Sequence, residues 1–303
     1  MKKFNLYSMH LKHFSSIRNM MYRSFTFLSI MILTMIGLRA QEAGEIKLLV
    51  RVDDIGSSHA ANRACIDAYT SGIARSVEIM VCCPWFPEAA KMLNENPGYD
   101  VGVHLMLTSE WDNVKWRPLT QCPSLVDSSG YFFPMIWPND NYPSERTLRG
   151  ANWKIEEIEQ ELRAQIALAM SYLPQLSHIS SHMGFSGMDQ QVHDLVARLA
   201  AEYGLITEAA VELQYFRAWG SEATSLEDKT AAFIENINKL TSGNYLFVEH
   251  PAYNEPEMQA TGHTGYTNVA IDRDHVTQVF TSPAVKNAIE QKGIKLIAYK
   301  DLK

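Results

Sequence analysis

The sequence predicts an α/β protein built on parallel strands, either an open parallel sheet or a β/α barrel of the TIM type. Three observations lead there. Short apolar runs alternate with helical patterns along most of the chain. The polar residues able to do chemistry sit where those apolar runs end, which is where such folds collect their active sites. The composition is globular: 46% of the 303 residues are hydrophobic and 20% are charged, with length for one large α/β domain or two small ones.

The first segment reads as an address outside the fold. Residues 1–40 carry six basic side chains and no acidic one. Met20-Met21-Tyr22-Arg23 precedes an apolar run over 25–38, which ends in Leu38-Arg39-Ala40 and Gln41. A basic start, a short apolar stretch and a small residue describe a secretory signal peptide. The run has roughly 14 residues, where a membrane span needs about 20; an uncleaved anchor is the alternative. Met20 or Met21 offers a second start, which would leave 1–19 untranslated. The expected location is therefore periplasmic or extracellular, with no stable membrane insertion after cleavage and a folded domain over 41–303. The chain beyond residue 40 has 21 basic and 34 acidic side chains, a net −13. That charge argues against nucleic acid or an anionic membrane as the main partner.

The elements then follow in order. Residues 46–52 form an apolar strand ending at Asp53-Asp54. Residues 59–70 form a helix, with Ala60, Ala64, Ile66 and Tyr69 near one face. A strand over 76–81 and a helix over 87–93 come next, the helix stopped by Asn96-Pro97-Gly98. The third strand covers 99–107, the long helix 154–173, the fourth strand 176–180 and a further helix 190–203. A late strand at 245–249 precedes a helix over 282–292, terminated by Gly293, and a last strand over 294–299. Cys65, Cys82, Cys83 and Cys122 lack zinc-ligand spacing and read as small buried hydrophobes. Oxidation after export would allow three full pairings, among which the sequence does not choose.

Residues 109–152 break the rhythm. They hold Trp111, Trp116, Tyr131, Phe132, Phe133, Trp137 and Tyr142 with five prolines interleaved. A stretch this long without regular structure reads as a lid or substrate loop. Trp111, Trp116 and Trp137 are candidate platforms for a sugar ring, since flat aromatic faces accept apolar sugar faces. The alternative is that these rings form the loop's own small core.

Asp53-Asp54 closes the first strand, His104 ends the third, His178 and His182 flank the fourth, and His250 ends the late strand. One carboxylate with two imidazoles suits a catalytic divalent ion, which would acidify a water and polarise a carbonyl. A second carboxylate beside it can serve as general base and a further histidine as general acid. Each alone has a plainer reading: helix cap or turn for the aspartates, strand-end or turn position for the histidines. His59, His193 and His275 fall on or near helices and read as surface or packing residues; His263 lies in a glycine-containing loop and stays undecided.

At these residues the chain resembles the YdjC-like carbohydrate deacetylases, the chito-oligosaccharide deacetylase group. Arg51-Val52-Asp53-Asp54-Ile55-Gly56 is similar to that family's N-A-D-D-F-G opening, and Gly102-Val103-His104-Leu105-Met106-Leu107-Thr108 to its G-x-H-x-x-L-T. The 178–182 segment resembles H-x-D-S-H, and Glu249-His250-Pro251 a late H-P element. The likeness spans about residues 46–302. It implies a distorted β/α barrel and a metal-dependent hydrolase that removes acetyl groups from N-acetylated sugars. By position it implies Asp54, His104 and His182 as ligands of a divalent ion, Mg2+ or Zn2+, with Asp53 as general base and His250 as acid or base partner. Three positions depart from the pattern: Arg51 replaces an asparagine, Ser180 an aspartate and Gly184 a histidine.

The expected partner is an acetylated oligosaccharide, and a homodimer is allowed. Two other classes stay open: a glycan-binding protein on the same fold with impaired catalysis, and a glycoside hydrolase, which needs two carboxylates flanking the scissile bond about 5–10 Å apart.

Overall fold

The computed structural model describes residues 44–302; the leader expected over 1–40 lies outside the described residues. Strand β1 (Ile46–Ile55) is buried along all but its first two residues, as befits a strand flanked on both edges. One edge pairs with β7 (Gly243–Glu249) from Ile46 to Val52. The other edge is shared: β8 (Lys295–Ile297) pairs with Lys47 to Leu49, and β2 (Ser76–Ile79) takes over from Arg51. With β3 (Val101–Leu105), β4 (Leu176–Ser181), β5 (Ile206–Thr207) and β6 (Gln214–Tyr215), the order is β5-β4-β3-β2-β1-β7-β6. Every ladder is parallel. Among the described residues no ladder joins β5 to β6, so the β/α barrel is open there and distorted.

The helices are α1 (His59–Thr70), α2 (Phe86–Asn94), α3 (Ile155–Tyr172), α4 (Gln190–Tyr203), α5 (Leu226–Lys239), α6 (Pro256–Gln259), α7 (Val269–Thr281) and α8 (Pro283–Lys292). Helix α1 starts where Ser58 accepts a hydrogen bond from the Ala61 amide. Helix α4 starts at the Asp189 cap and ends at Gly204 in the left-handed region. Both match the expected bounds. Elements α5, α6, α7, β5 and β6 are not among the expected ones. Strands β5 and β6 have two residues each, too few to show a period. Helix α7 buries Arg273 and Thr277 on its inner face, which blurs its apolar stripe. No described helix is long and apolar enough to cross a membrane. The four cysteines are free.

Alternation along the strands sorts side chains between two environments. Leu48, Val50 and Val52 join the main core between sheet and helices. Leu49 joins a smaller cluster with Leu246, Ile297 and Tyr299, which plugs the barrel interior. Arg51 stands on that plug, its Nη1 3.1 Å from the Tyr299 hydroxyl, and Asp53 stands on Arg51.

The 109–152 segment is a packed cover. Trp116 and Trp111 are 3% and 4% exposed, and Phe132 and Tyr142 are buried with them. Trp116 Nε1 donates to the Thr108 carbonyl at 2.7 Å. The buried Glu161 of α3 accepts from the Leu119 and Thr120 amides at 3.0 and 2.9 Å and from the Thr120 hydroxyl at 2.7 Å. The aromatic richness therefore serves first as the loop's own core.

Candidate metal centre

A bulge at the end of β1 starts the site. Val52 pairs with Val77 and Ile55 with Ile79, so β1 spends one residue more than β2 over this step. Asp54 takes the left-handed region at φ 71°, which aspartate tolerates better than most residues. Strict alternation would turn Asp54 outward after Val52. The extra residue instead lets Asp53 and Asp54 both face the barrel mouth. Each sends one oxygen to 3.7 Å from His104 Nε2: Asp53 through Oδ2 and Asp54 through Oδ1.

His104 lies on β3 in register with Ser180 of β4. His182 directly follows β4 and opens a short 3-10 segment, His182–Gly187, in which Met183 and Gly184 are left-handed at φ 52° and 67°. That turn carries the chain away while His182 stays buried at the centre.

Three ligating atoms form a small triangle. His182 Nδ1 is 3.3 Å from His104 Nε2 and 3.6 Å from Asp54 Oδ1, and His104 Nε2 is 3.7 Å from the same Oδ1. Bonds of about 2.1 Å at tetrahedral angles put neighbouring ligand atoms about 3.4 Å apart. Asp54 Oδ1 is buried and has no hydrogen-bond partner, a costly state for a carboxylate oxygen unless something positive sits against it. Among the described residues, Asp54, His104 and His182 are the group able to hold a metal ion.

Neighbours orient each ligand. Glu110 Oε2 accepts from His182 Nε2 at 3.0 Å, leaving Nδ1 toward the centre. Arg273 of α7 donates to Asp54 Oδ2 at 2.9 Å. Burial works against the Asp54 carboxylate, but Arg273, His250 and His182 hold its pKa well below the usual range. Burial pushes His104 down, toward the neutral imidazole that metals take. Burial opposes the charge on His182 too, yet Glu110 and Asp54 raise it to about 10. A cation and that proton compete for the same nitrogen.

A cleft of about 620 Å³ opens beside the triangle, lined by Asp53, His104, His250, Met183, Tyr215 and His193 among others. His250 follows β7, with Nδ1 3.9 Å from Glu249 Oε2; burial alone would lower it, but Asp54 and Glu249 raise it. A second pocket, of about 260 Å³, is lined by Trp111, Trp116, Trp85 and Arg273 among others.

The structure thus brings Asp53, Asp54, His104, His182 and His250 together. It leaves His178 below the mouth, bonded to Glu78 and Ser177. Trp137, expected as a sugar platform, is 42% exposed and lines neither cavity. Trp111 and Trp116 touch the 260 Å³ pocket but are almost wholly buried; His263 stacks on Trp111 at 5.5 Å and Arg273 lies 5.2 Å over it. His193, read as a surface or packing residue, lines the cleft. Glu78, Glu110 and Arg273 escaped the sequence reading. Glu110 carried a weak signal, six residues past His104; Arg273 lies on a helix that shows none.

Comparisons with known proteins place the chain in a family. A chitooligosaccharide deacetylase of Yersinia enterocolitica is 26% identical over 272 residues, covering 84% of this chain and 98% of its own. A carbohydrate deacetylase of Enterococcus faecalis is 28% identical over 274 residues, covering 84% and 98%. The crystal structure of an Enterococcus faecalis protein, provisionally described as a cellobiose-phosphate cleavage protein, superposes with a TM-score of 0.68 at 26% identity, covering 86% of this chain and 99% of that one. The sequence profile described as YdjC-like protein matches residues 47–291, most of the chain and every residue of the centre: the chain belongs to the YdjC-like family.

Proposed function

We propose that the protein is a metal-dependent carbohydrate deacetylase, removing acetyl groups from N-acetylated sugars or oligosaccharides. The observation that carries this reading is the Asp54–His104–His182 triangle with its orphaned carboxylate oxygen, set beside a second carboxylate at the wall of an open cleft. The names of the Yersinia and Enterococcus relatives support the substrate class.

Two imidazoles and one carboxylate favour Zn2+ over Mg2+, which prefers oxygen ligands and water. Such an ion, when bound, supplies Lewis acidity to a carbonyl oxygen and to water. Asp53 accepts the proton that the attacking water loses. The water oxygen bonds to the acetamide carbon, the C–N bond breaks, and His250 donates a proton to the leaving amine. Acetate and the free amino sugar result. Gly184, where the family pattern has histidine, leaves the wall of the cleft without a side chain, which we infer widens the space for the sugar.

Glycosidic cleavage has less support. Asp53 and Asp54 share one histidine nitrogen as neighbour and do not flank a bond as two hydrolytic carboxylates must. The deciding experiment is acetate release from a panel of acetylated oligosaccharides by metal-depleted protein, with Zn2+ or Mg2+ added back. Acetate that appears only with metal supports the reading; shortened glycans without acetate refute it. Export remains part of the proposal on the sequence of the 1–40 segment, and N-terminal sequencing of the native protein tests it: an intact 20–40 segment in a membrane fraction makes it an anchor.

A further inference from the structure

Beneath the candidate metal centre runs a buried chain of polar groups. Ser180 Oγ lies 2.6 Å from His104 Nδ1 and donates to Glu78 Oε2 at 2.5 Å. A hydroxyl has one proton. With that proton committed to a carboxylate, Ser180 meets His104 as an acceptor. His104 Nδ1 therefore carries the hydrogen, and its Nε2 turns a lone pair toward Asp54 and His182.

Glu78 is 0% exposed, a placement that costs free energy unless the carboxylate is paired and bonded. Its other oxygen is held by His178 Nε2. His178 is itself fixed by Ser177 Oγ, 2.7 Å from Nδ1, and by the Tyr299 ring stacked at 3.9 Å. Glu78 belongs to β2 and Ser180 to β4, with β3 between them. Gly102 of β3 pairs with Glu78 on one side and His178 on the other. A Cβ at Gly102 would collide with the Glu78 carboxylate and the His178 ring. The absent side chain is the window through which Glu78 reaches across.

We propose that Glu78 is the positioning carboxylate of this centre, fixing the His104 tautomer through Ser180 and strengthening His104 as a ligand. The inference rests on the metal-centre reading above. Ser180 stands where the resembling family carries an aspartate, and the carboxylate here arrives from two strands away. A carboxylate behind a ligating histidine orients the ring and raises its basicity, and losing it costs about 10–100-fold in metal affinity.

The test is Zn2+ affinity of the metal-depleted full-length protein, read by competition with a chromophoric chelator, with near-UV circular dichroism to confirm the fold. Glu78→Gln and Ser180→Ala should each weaken Zn2+ binding about 10–100-fold. The exchange Glu78→Ser with Ser180→Asp, which returns the carboxylate to β4, should recover most of it; a merely structural role for Glu78 predicts no such rescue. Should Glu78→Gln fail to fold, Ser180→Ala, which removes a single oxygen, carries the test. Wild-type affinity in the folded variants overturns the relay and leaves the metal centre standing. A wild-type protein that takes up no ion removes the centre and the relay together.

Discussion

Arg51 grips Asp53 with both arms of its guanidinium, Nε on Oδ1 at 2.7 Å and Nη2 on Oδ2 at 3.0 Å. Such a bidentate pair fixes a carboxylate in orientation as well as in charge. The remaining nitrogen, Nη1, reaches Glu208 and the Tyr299 hydroxyl. Arg51 thereby ties the proposed base to the plug of the barrel, at a position where the family pattern has an uncharged asparagine.

Removing that cation should be costly. Arg51→Met strips the buried Asp53 of its bidentate partner, while Glu208 keeps the Tyr215 hydroxyl, and we expect a loss of about 3–5 kcal/mol in urea unfolding. Adding Asp53→Asn should recover part of it, with a coupling above about 1 kcal/mol. Strictly additive effects would show that the pair does not act as a unit.

The two aspartates should part company when neutralised. Asp54→Asn removes the charge from the orphaned ligand oxygen and should abolish stoichiometric metal uptake. Asp53→Asn should keep the metal and lose about 10²–10⁴ in turnover, because an amide accepts no proton from water. Metal content and acetate release measured on both variants decide. Metal lost from Asp53→Asn and kept in Asp54→Asn would reverse the roles.

Burial separates the tryptophans. Trp116→Ala should destabilise by about 3–5 kcal/mol, since it empties a core position and abandons the Thr108 carbonyl. Trp137→Ala should change stability by less than about 0.5 kcal/mol and leave kinetics near wild type, as expected for an exposed side chain outside both cavities. Thermal unfolding and acetate release on the two variants check this. A collapse of substrate use in Trp137→Ala would return that ring to the substrate site.

Glu161 anchors the cover. Glu161→Ala strips the acceptor from two backbone amides, the Thr120 hydroxyl and Gln165, at a cost of about 1–3 kcal/mol. Limited proteolysis should then cut within 109–152 sooner than elsewhere. An unchanged cleavage pattern would mean that the loop's aromatic core holds it without Glu161.

The sequence by itself determined the alternation of strands and helices, because periodicity and cap chemistry are local. Helices α1 and α4 were legible to their last residues from their pattern, and the structure shows the caps at Ser58, Asp189 and Gly204 that hold those ends. It also brought forward Asp53, Asp54, His104, His178, His182 and His250, since parallel strands deliver their C-terminal ends to one face; the structure gathers all of these but His178. Tertiary structure alone decided how they meet. The bulge that turns Asp54 inward beside Asp53 is a mismatch with β2, invisible in β1 read alone. Glu78 looks like one more strand residue until the registers of β2, β3 and β4 set it across Gly102 from Ser180. Arg273 reaches Asp54 from 219 residues away, and no local pattern encodes that distance. The tryptophans show the same limit from the other side: composition marked them as apolar surface, and only packing decided that Trp111 and Trp116 would face the protein while Trp137 faces water.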